Sequence, residues 1–300
     1  MKLIFRLLAV CTLIATAPAY AALKVFATVP EWGALANELG GDKVDVYVAT
    51  SPLQDPHHVE AKPSLISHAR NADLVIATGA ELEIGWLPLV IQQAGNPRLT
   101  PGKPGYFEGA QQVTLLEVPK RLDRADGDVH AAGNPHIQLD PRNIARIANA
   151  LAKRLAELDP ANASTYQTRY QSFNERWNSA ISKWEKEAQP LKGVAILVHH
   201  HAFTYLNNWL GLKEVAALEP KPGIEPTSAH LSDVLALTQQ QPVKMVIRPA
   251  YQSSRASEWI ASRSKINAVT LPFTVGGTEN AKDLFGFFED TVQRLLAGLK

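Results

Sequence analysis

Short apolar runs alternate with longer amphipathic segments along most of the chain. The apolar runs are rich in valine, isoleucine and alanine, as is typical of strands that are buried in a parallel sheet. The segments between them repeat apolar residues every three or four positions, which predicts helices such as 63–71, 140–158 and 280–300. Strands separated by helices need crossover connections, so parallel sheets are expected. We predict strands at 23–30, 43–51, 72–80, 112–118, 193–200, 212–218, 243–250 and 267–274.

The most regular helix pattern lies between the first four and the last four of these strands. Asp159 is expected to cap the helix, with Pro160 at its first position and its end near Pro190. Such a helix is about 40 Å long and would link two α/β lobes as a stiff element. Its apolar face consists of Tyr166, Tyr170, Phe173, Trp177, Ile181 and Trp184.

The predicted fold class is therefore α/β, with two lobes joined by this one long linker helix. Each lobe is expected to be a mainly parallel sheet flanked by helices. We assign 22–158 to the N-terminal lobe, 159–189 to the linker helix and 190–300 to the C-terminal lobe. Three hundred residues are sufficient for two lobes of ordinary size.

The first residues have the pattern of a secretory signal. Lys2 and Arg6 precede the apolar run 7–17, and small residues stand at the end of the segment. We predict a signal peptide at 1–21 that is cleaved after Ala21. The only cysteine, Cys11, lies inside it, so the mature protein should lack disulfides and thiolate ligands. We expect a soluble protein of a bacterial periplasm.

Composition excludes one class of partner. The chain is 46% apolar and 20% charged, as in soluble globular proteins, and its net charge is +1. Nucleic-acid binding requires a concentrated basic surface, and the sequence contains no long basic run. We therefore expect no nucleic acid as partner.

Candidate chemistry comes from histidine. Three of the nine histidines are consecutive, 199–201, at the carboxyl end of a predicted strand. His57 and His58 follow the strand 43–51, and His136 precedes the helix that begins near Asp140. Ligands bind at the carboxyl edge of open α/β sheets, so these loops can converge on one cleft. Imidazole suits zinc and other borderline metals, which makes a shared metal site one interpretation.

Each histidine also has an ordinary interpretation. His68 and His230 lie inside helix patterns and are expected to be surface residues. His130 lies in a loop rich in Asp and Gly. It could capture metal transiently, but we expect it to be a solvated loop residue.

Three motifs resemble those of the zinc- and manganese-binding solute receptors of bacterial ABC importers. They are "DPHHVEAKPS", "NPHIQLDP" and "HHHAFTYL", and "GIEPTS" precedes a later helix as in that family. The resemblance covers essentially the whole mature chain. It implies that His57, His136 and His200 are the metal ligands, with His199 and His201 as neighbours that orient or screen the site. It also implies a non-enzymatic receptor, expected to be a monomer, that delivers its cargo to an ABC permease in the inner membrane.

Several positions depart from the family pattern. Asn134 and Gln138 replace an acidic residue and a tryptophan, which should affect packing more than ligation. Arg248 stands where many relatives carry glutamate. Pro272 and Phe273 stand where a ligand carboxylate is expected. The fourth ligand is then water or another carboxylate, for which the candidates are Glu225, Glu279 and Asp283.

Three neutral imidazoles and at most one carboxylate favour Zn²⁺ over Mn²⁺, which prefers more oxygen ligands. Asp55 and Glu60 flank the first ligand and could accept hydrogen bonds from its imidazole. Mn²⁺ remains the nearest alternative cargo, and a surface adhesin is a further one. A zinc hydrolase is less favoured, because the chain contains no H-E-x-x-H helix and no evident general base beside the three motifs.

Overall fold

A computed structural model describes residues 21–119 and 130–300. The predicted signal peptide lies outside these ranges, except for its last residue. None of the helices in the described ranges has both the length and the apolar character needed to cross a bilayer.

The first sheet consists of four strands, β1 (Leu23–Ala27), β2 (Val44–Val48), β3 (Leu74–Ala77) and β4 (Tyr106–Glu108). They are all parallel, in the order β2-β1-β3-β4. All four residues of β3 are buried, as expected for a strand near the middle of a sheet that helices cover. The helices of this half of the chain are α1 (Pro30–Gly40), α2 (Pro63–Asn71), α3 (Leu87–Ala94) and α4 (Pro141–Leu158).

The prediction of a strand at 112–118 is wrong, because the fourth strand of the sheet is β4, which lies earlier in the sequence. Residues 113–119 form an irregular segment whose leucines still pack on the core. The backbone of Leu116 does not pair with a strand. Its N–H donates to Tyr205 Oη at 3.1 Å, and its carbonyl accepts from Asn134 N–H at 2.8 Å. The apolar pattern of this segment therefore indicates burial and not strand pairing.

The second sheet repeats the arrangement of the first. Its strands are β5 (Ala195–Val198), β6 (Lys213–Ala217), β7 (Met245–Pro249) and β8 (Asn267–Leu271). They are again parallel, in the order β6-β5-β7-β8. The accompanying helices are α6 (Thr204–Leu210), α7 (Ser228–Gln240), α8 (Arg255–Ser264) and α9 (Leu284–Gly298). The two-lobe α/β architecture is thereby confirmed.

A helix of 25 residues, α5 (Ala163–Glu187), lies between the two sheets in the sequence. It begins after the predicted start, because 160–162 form a separate 3₁₀ turn. The Asp159 carboxylate caps neither this turn nor α5. It accepts hydrogen bonds from Tyr166 Oη and from Asn162 Nδ2, both at 2.7 Å. Of the predicted apolar face, all members except Tyr170 are buried.

Helix α5 is anchored to both halves of the molecule. Trp177 Nε1–H donates to the Pro141 carbonyl at 2.8 Å, at the start of α4. The ring of Trp177 also meets that of Phe288, in α9, edge to face at 5.4 Å. One buried apolar cluster runs from the first sheet through this helix into the second sheet. The lobes therefore share a packed core around α5, unlike lobes joined by a flexible linker.

Candidate metal centre

Three histidines meet where loops of the two lobes come together. His57 lies between β2 and α2, His136 precedes the turn that leads into α4, and His200 is the second residue after β5. Their ring centroids form a nearly regular triangle with sides of 5.2, 5.7 and 5.9 Å. One nitrogen of each ring lies within 4.8 Å of the other two. Nitrogen ligands of tetrahedral zinc are about 3.4 Å apart, so a small inward movement would allow all three to coordinate one ion.

His57 is held by the aspartate two residues before it. Asp55 Oδ1 accepts the His57 backbone N–H at 3.0 Å and lies 2.8 Å from the ring Nδ1. Burial alone would raise the pKa of Asp55, but the hydrogen bonds and charge of His57 outweigh it and lower that pKa. With Nδ1 engaged, the buried Nε2 of His57 is the nitrogen without a hydrogen-bond partner among the described residues. Asp55 thus orients the ring as predicted. Glu60, the other predicted acceptor, is exposed, and its Oε2 lies 4.0 Å from Lys62 Nζ.

His136 is the most buried of the three, with 1% of its surface exposed. Its backbone N–H donates to Asn134 Oδ1 at 3.0 Å, which fixes the turn before α4. Burial, reinforced by the neighbouring imidazoles of His57 and His200, holds the pKa of His136 well below its usual value. The ring is therefore neutral, the form that binds metal, at pH values where a solvated histidine is partly protonated.

His200 is oriented by a residue that sequence reasoning missed. Glu219 Oε2 lies 2.6 Å from His200 Nδ1, and both side chains are buried. The same carboxylate accepts from Gly223 N–H at 2.9 Å and from Gln252 Nε2 at 3.1 Å. Glu219 is the second residue after β6, so its only sequence signal is its place at the same sheet edge as His200. Carboxylate–histidine pairs of this kind fix the tautomer of a metal ligand.

The two neighbours of His200 in the sequence differ from it in environment. His199 is buried, its backbone N–H donates to the Ile247 carbonyl, and burial lowers its pKa. His201 is half-exposed, and its Nδ1 donates to Glu214 Oε1 at 2.5 Å, a hydrogen bond that raises the pKa of the imidazole. Neither belongs to the group of three whose nitrogens lie within 4.8 Å.

No described carboxylate joins that group of three. Glu225, Glu279 and Asp283, the sequence candidates for a fourth ligand, are exposed. Asp283 instead caps α9 by accepting the Gly286 N–H at 2.7 Å. At the place where a carboxylate was expected, the buried ring of Phe273 meets His136 edge to face at 5.2 Å.

Asn134, one of the departures from the family pattern, connects the lobes beside the site. Its Nδ2 donates to the His201 carbonyl at 2.9 Å, a bond that an aspartate could not donate. Its own carbonyl accepts from Tyr205 Oη at 2.8 Å. Arg248, another departure, donates to the Gln252 carbonyl at 2.7 Å and so supports the loop that contacts Glu219.

A second contact between the lobes involves a buried acid. Glu31, in α1, accepts a short hydrogen bond from Thr274 Oγ1, which follows β8. Burial, opposed by this hydrogen bond and assisted by the charge of Glu83, raises the pKa of Glu31 to about 7. Glu83 is itself buried and accepts from Thr28 Oγ1 and from two backbone N–H groups. Burial therefore opposes the ionisation of two acids of the first lobe, of which Glu31 contacts the second lobe.

Two parallel-sheet lobes, a stiff helix between them and a histidine triangle shared by both define a metal-binding solute receptor of an ABC importer. The family described as zinc-uptake complex component A (ZnuA), periplasmic, matches residues 25–298 of the chain. The protein therefore belongs to the ZnuA family of substrate-binding receptors.

The names of related proteins refer to two different metals, manganese and zinc. The chain is 23% identical over 267 residues to the manganese ABC transporter substrate-binding lipoprotein PsaA of Streptococcus anginosus, covering 87% of this chain and 83% of PsaA. It is 21% identical over 263 residues to the high-affinity zinc uptake system protein ZnuA of Bacillus subtilis, covering 86% and 81%. A crystal structure of ZnuA superposes with a TM-score of 0.79 at 25% identity, covering 93% of this chain and 100% of that one.

Proposed function

We propose that this protein captures Zn²⁺ in the cleft between its lobes, with His57, His136 and His200 as ligands, and delivers the ion to an ABC permease. The observation that carries the proposal is the triangle of imidazoles, one nitrogen of each within 4.8 Å of the others. Two lobes contribute to it, so closing or opening the cleft would complete or break the coordination shell.

The donor set favours zinc over manganese. Imidazole nitrogen suits Zn²⁺, whereas Mn²⁺ prefers carboxylate, carbonyl and water oxygens. Among the described residues the nearest carboxylates, Asp55 and Glu219, are hydrogen-bonded to imidazole Nδ1 atoms. Phe273 closes the side where a further carboxylate would have supplied oxygen. Affinity order at nitrogen sites points the same way, since zinc binds more tightly than manganese.

The remaining assignments follow from the receptor role. We propose that the lobes correspond to 22–158 and 190–300 with 159–189 between them, and that the signal peptide 1–21 directs the chain to the periplasm. One copy of the chain supplies all three imidazoles, which supports a monomer as the binding unit. The inner-membrane permease is the proposed partner.

The test is a chelator competition titration of the metal-stripped mature protein with Zn²⁺ and Mn²⁺ at neutral pH. We expect one tight zinc site, weaker manganese binding and a large loss of zinc affinity in H57A, H136A and H200A. His68→Ala is the matched control, because the His68 ring stacks on Tyr47 at 3.6 Å instead of joining the triangle. Comparable manganese affinity would contradict the zinc assignment, and unchanged affinity in the three variants would contradict the ligand assignment.

A further inference from the structure

A cavity of about 230 Å³ opens from the histidine triangle toward the surface. His136 and His200 line it, together with His130 and the acid Glu117. On another side the triangle is closed by Phe273, whose ring packs against His136. A tetrahedral ion bound by three imidazoles has one position left, and a ligand entering from the cavity can reach it.

His130 lies at this opening. Its ring centroid is 5.5 Å from that of His57, and the two planes are inclined by only 27°. His130 is half-buried, which differs from the solvated loop position expected from the sequence. This spacing is within the range of 5.2 to 5.9 Å that separates the members of the triangle itself.

The backbone next to His130 is held in place. The N–H of Ala131 donates to Glu81 Oε2 at 2.6 Å, and the N–H of Gly133 donates to the His130 carbonyl at 3.1 Å. Gly133 has φ +118°, a conformation that side chains with a Cβ rarely adopt, so the turn favours glycine. These contacts keep the Cα of His130 beside the cavity, while a change of rotamer about χ1 displaces the imidazole nitrogens by a few ångströms.

We propose that His130 turns into the cavity and supplies the fourth ligand when the ion is bound, an inference that rests on the proposed zinc-receptor function. His130 is not within the 4.8 Å group, so this step requires the rotation of its side chain. Four neutral imidazoles then close a tetrahedral shell without a metal-bound water. A closed shell suits a cargo site, because it leaves no water for the ion to convert into hydroxide.

The experiment is zinc K-edge X-ray absorption on the zinc-loaded mature protein, in which outer-shell scattering counts the imidazoles around the ion. We expect four imidazoles in the wild type, three and an oxygen in His130→Ala, and four in His58→Ala. His58 is the matched control, since it is an exposed histidine adjacent to the triangle. Chelator competition should show at least a tenfold loss of zinc affinity in H130A, because losing a ligand costs no less than losing its hydrogen-bond partner.

The outcomes separate this proposal from the proposed function. Three imidazoles and an oxygen in the wild type, with the same spectrum and affinity in H130A, would overturn the role of His130 alone, provided that H57A loses zinc. An equal loss of affinity in H58A and H130A would also overturn it, because the effect would then not be specific to one ring. A wild type that binds no zinc would overturn both proposals.

Discussion

Replacing Glu31 by glutamine should remove a pH dependence from the stability of the protein. Glu31 is 2% exposed, and its carboxyl group accepts from Thr274 across the lobe interface. Burial is the main cause that raises its pKa from 4.5 to about 7. Glutamine keeps the size and a carbonyl acceptor for Thr274 but cannot ionise.

The sign and the size of the effect follow from the two pKa values. Between pH 4.5 and 7 the folded protein holds a proton on Glu31 that the unfolded chain releases, so the free energy of unfolding falls as pH rises. A shift from 4.5 to about 7, at 1.36 kcal/mol per unit, corresponds to about 3 kcal/mol. The charge of Glu83 also raises the pKa of Glu31, and burial raises the pKa of Glu83 itself.

The assay is urea unfolding of metal-stripped wild type and E31Q at pH 4.5 and pH 7.5. We expect the free energy of unfolding of E31Q, relative to wild type, to increase by about 3 kcal/mol between these values. Histidine titrations are common to both proteins and cancel in this difference. Glu60→Gln, which removes an exposed carboxylate of the same lobe, should show no such change. A difference for E31Q that stays constant with pH would refute the assignment of a raised pKa to Glu31.

Three further predictions concern the site and the core. Glu219→Ala should lower zinc affinity about 10- to 100-fold in the chelator titration, because His200 loses the acceptor on its Nδ1; unchanged affinity would contradict that role. In the same titration, Phe273→Asp should raise manganese affinity relative to zinc affinity, because it adds an oxygen donor beside His136. Phe273 has a φ of +52°, a backbone conformation that aspartate tolerates. Trp177→Ala should lower the free energy of unfolding by about 3–5 kcal/mol in urea, because it empties the core around α5; a loss below about 1 kcal/mol would contradict that packing.

The sequence predicted the fold well where periodicity and burial coincide. Seven of the eight predicted strands overlap observed ones, because continuous apolar runs between helices have few other solutions. Helix α2 begins at Pro63 and ends at Asn71 as predicted, since proline suits its first turn. The meeting of His57, His136 and His200 was predicted by the rule that loops after parallel strands share one edge, sharpened by the family motifs.

The features that sequence could not predict depend on contacts between distant residues. Glu219 lies 19 positions from His200, and only the pairing of β5 with β6 brings the two together. The segment 112–118 is apolar because it packs on the core, and periodicity does not separate this from a strand. The raised pKa of Glu31 likewise arises from burial at an interface between lobes.

The most direct test of the central claim is an anomalous difference map, measured at the zinc K-edge, from crystals of the zinc-loaded mature protein. The account predicts one strong peak between the imidazoles of His57, His136 and His200, about 2.0–2.1 Å from a nitrogen of each. A peak elsewhere, or a peak that lacks any one of these three nitrogens, would contradict it.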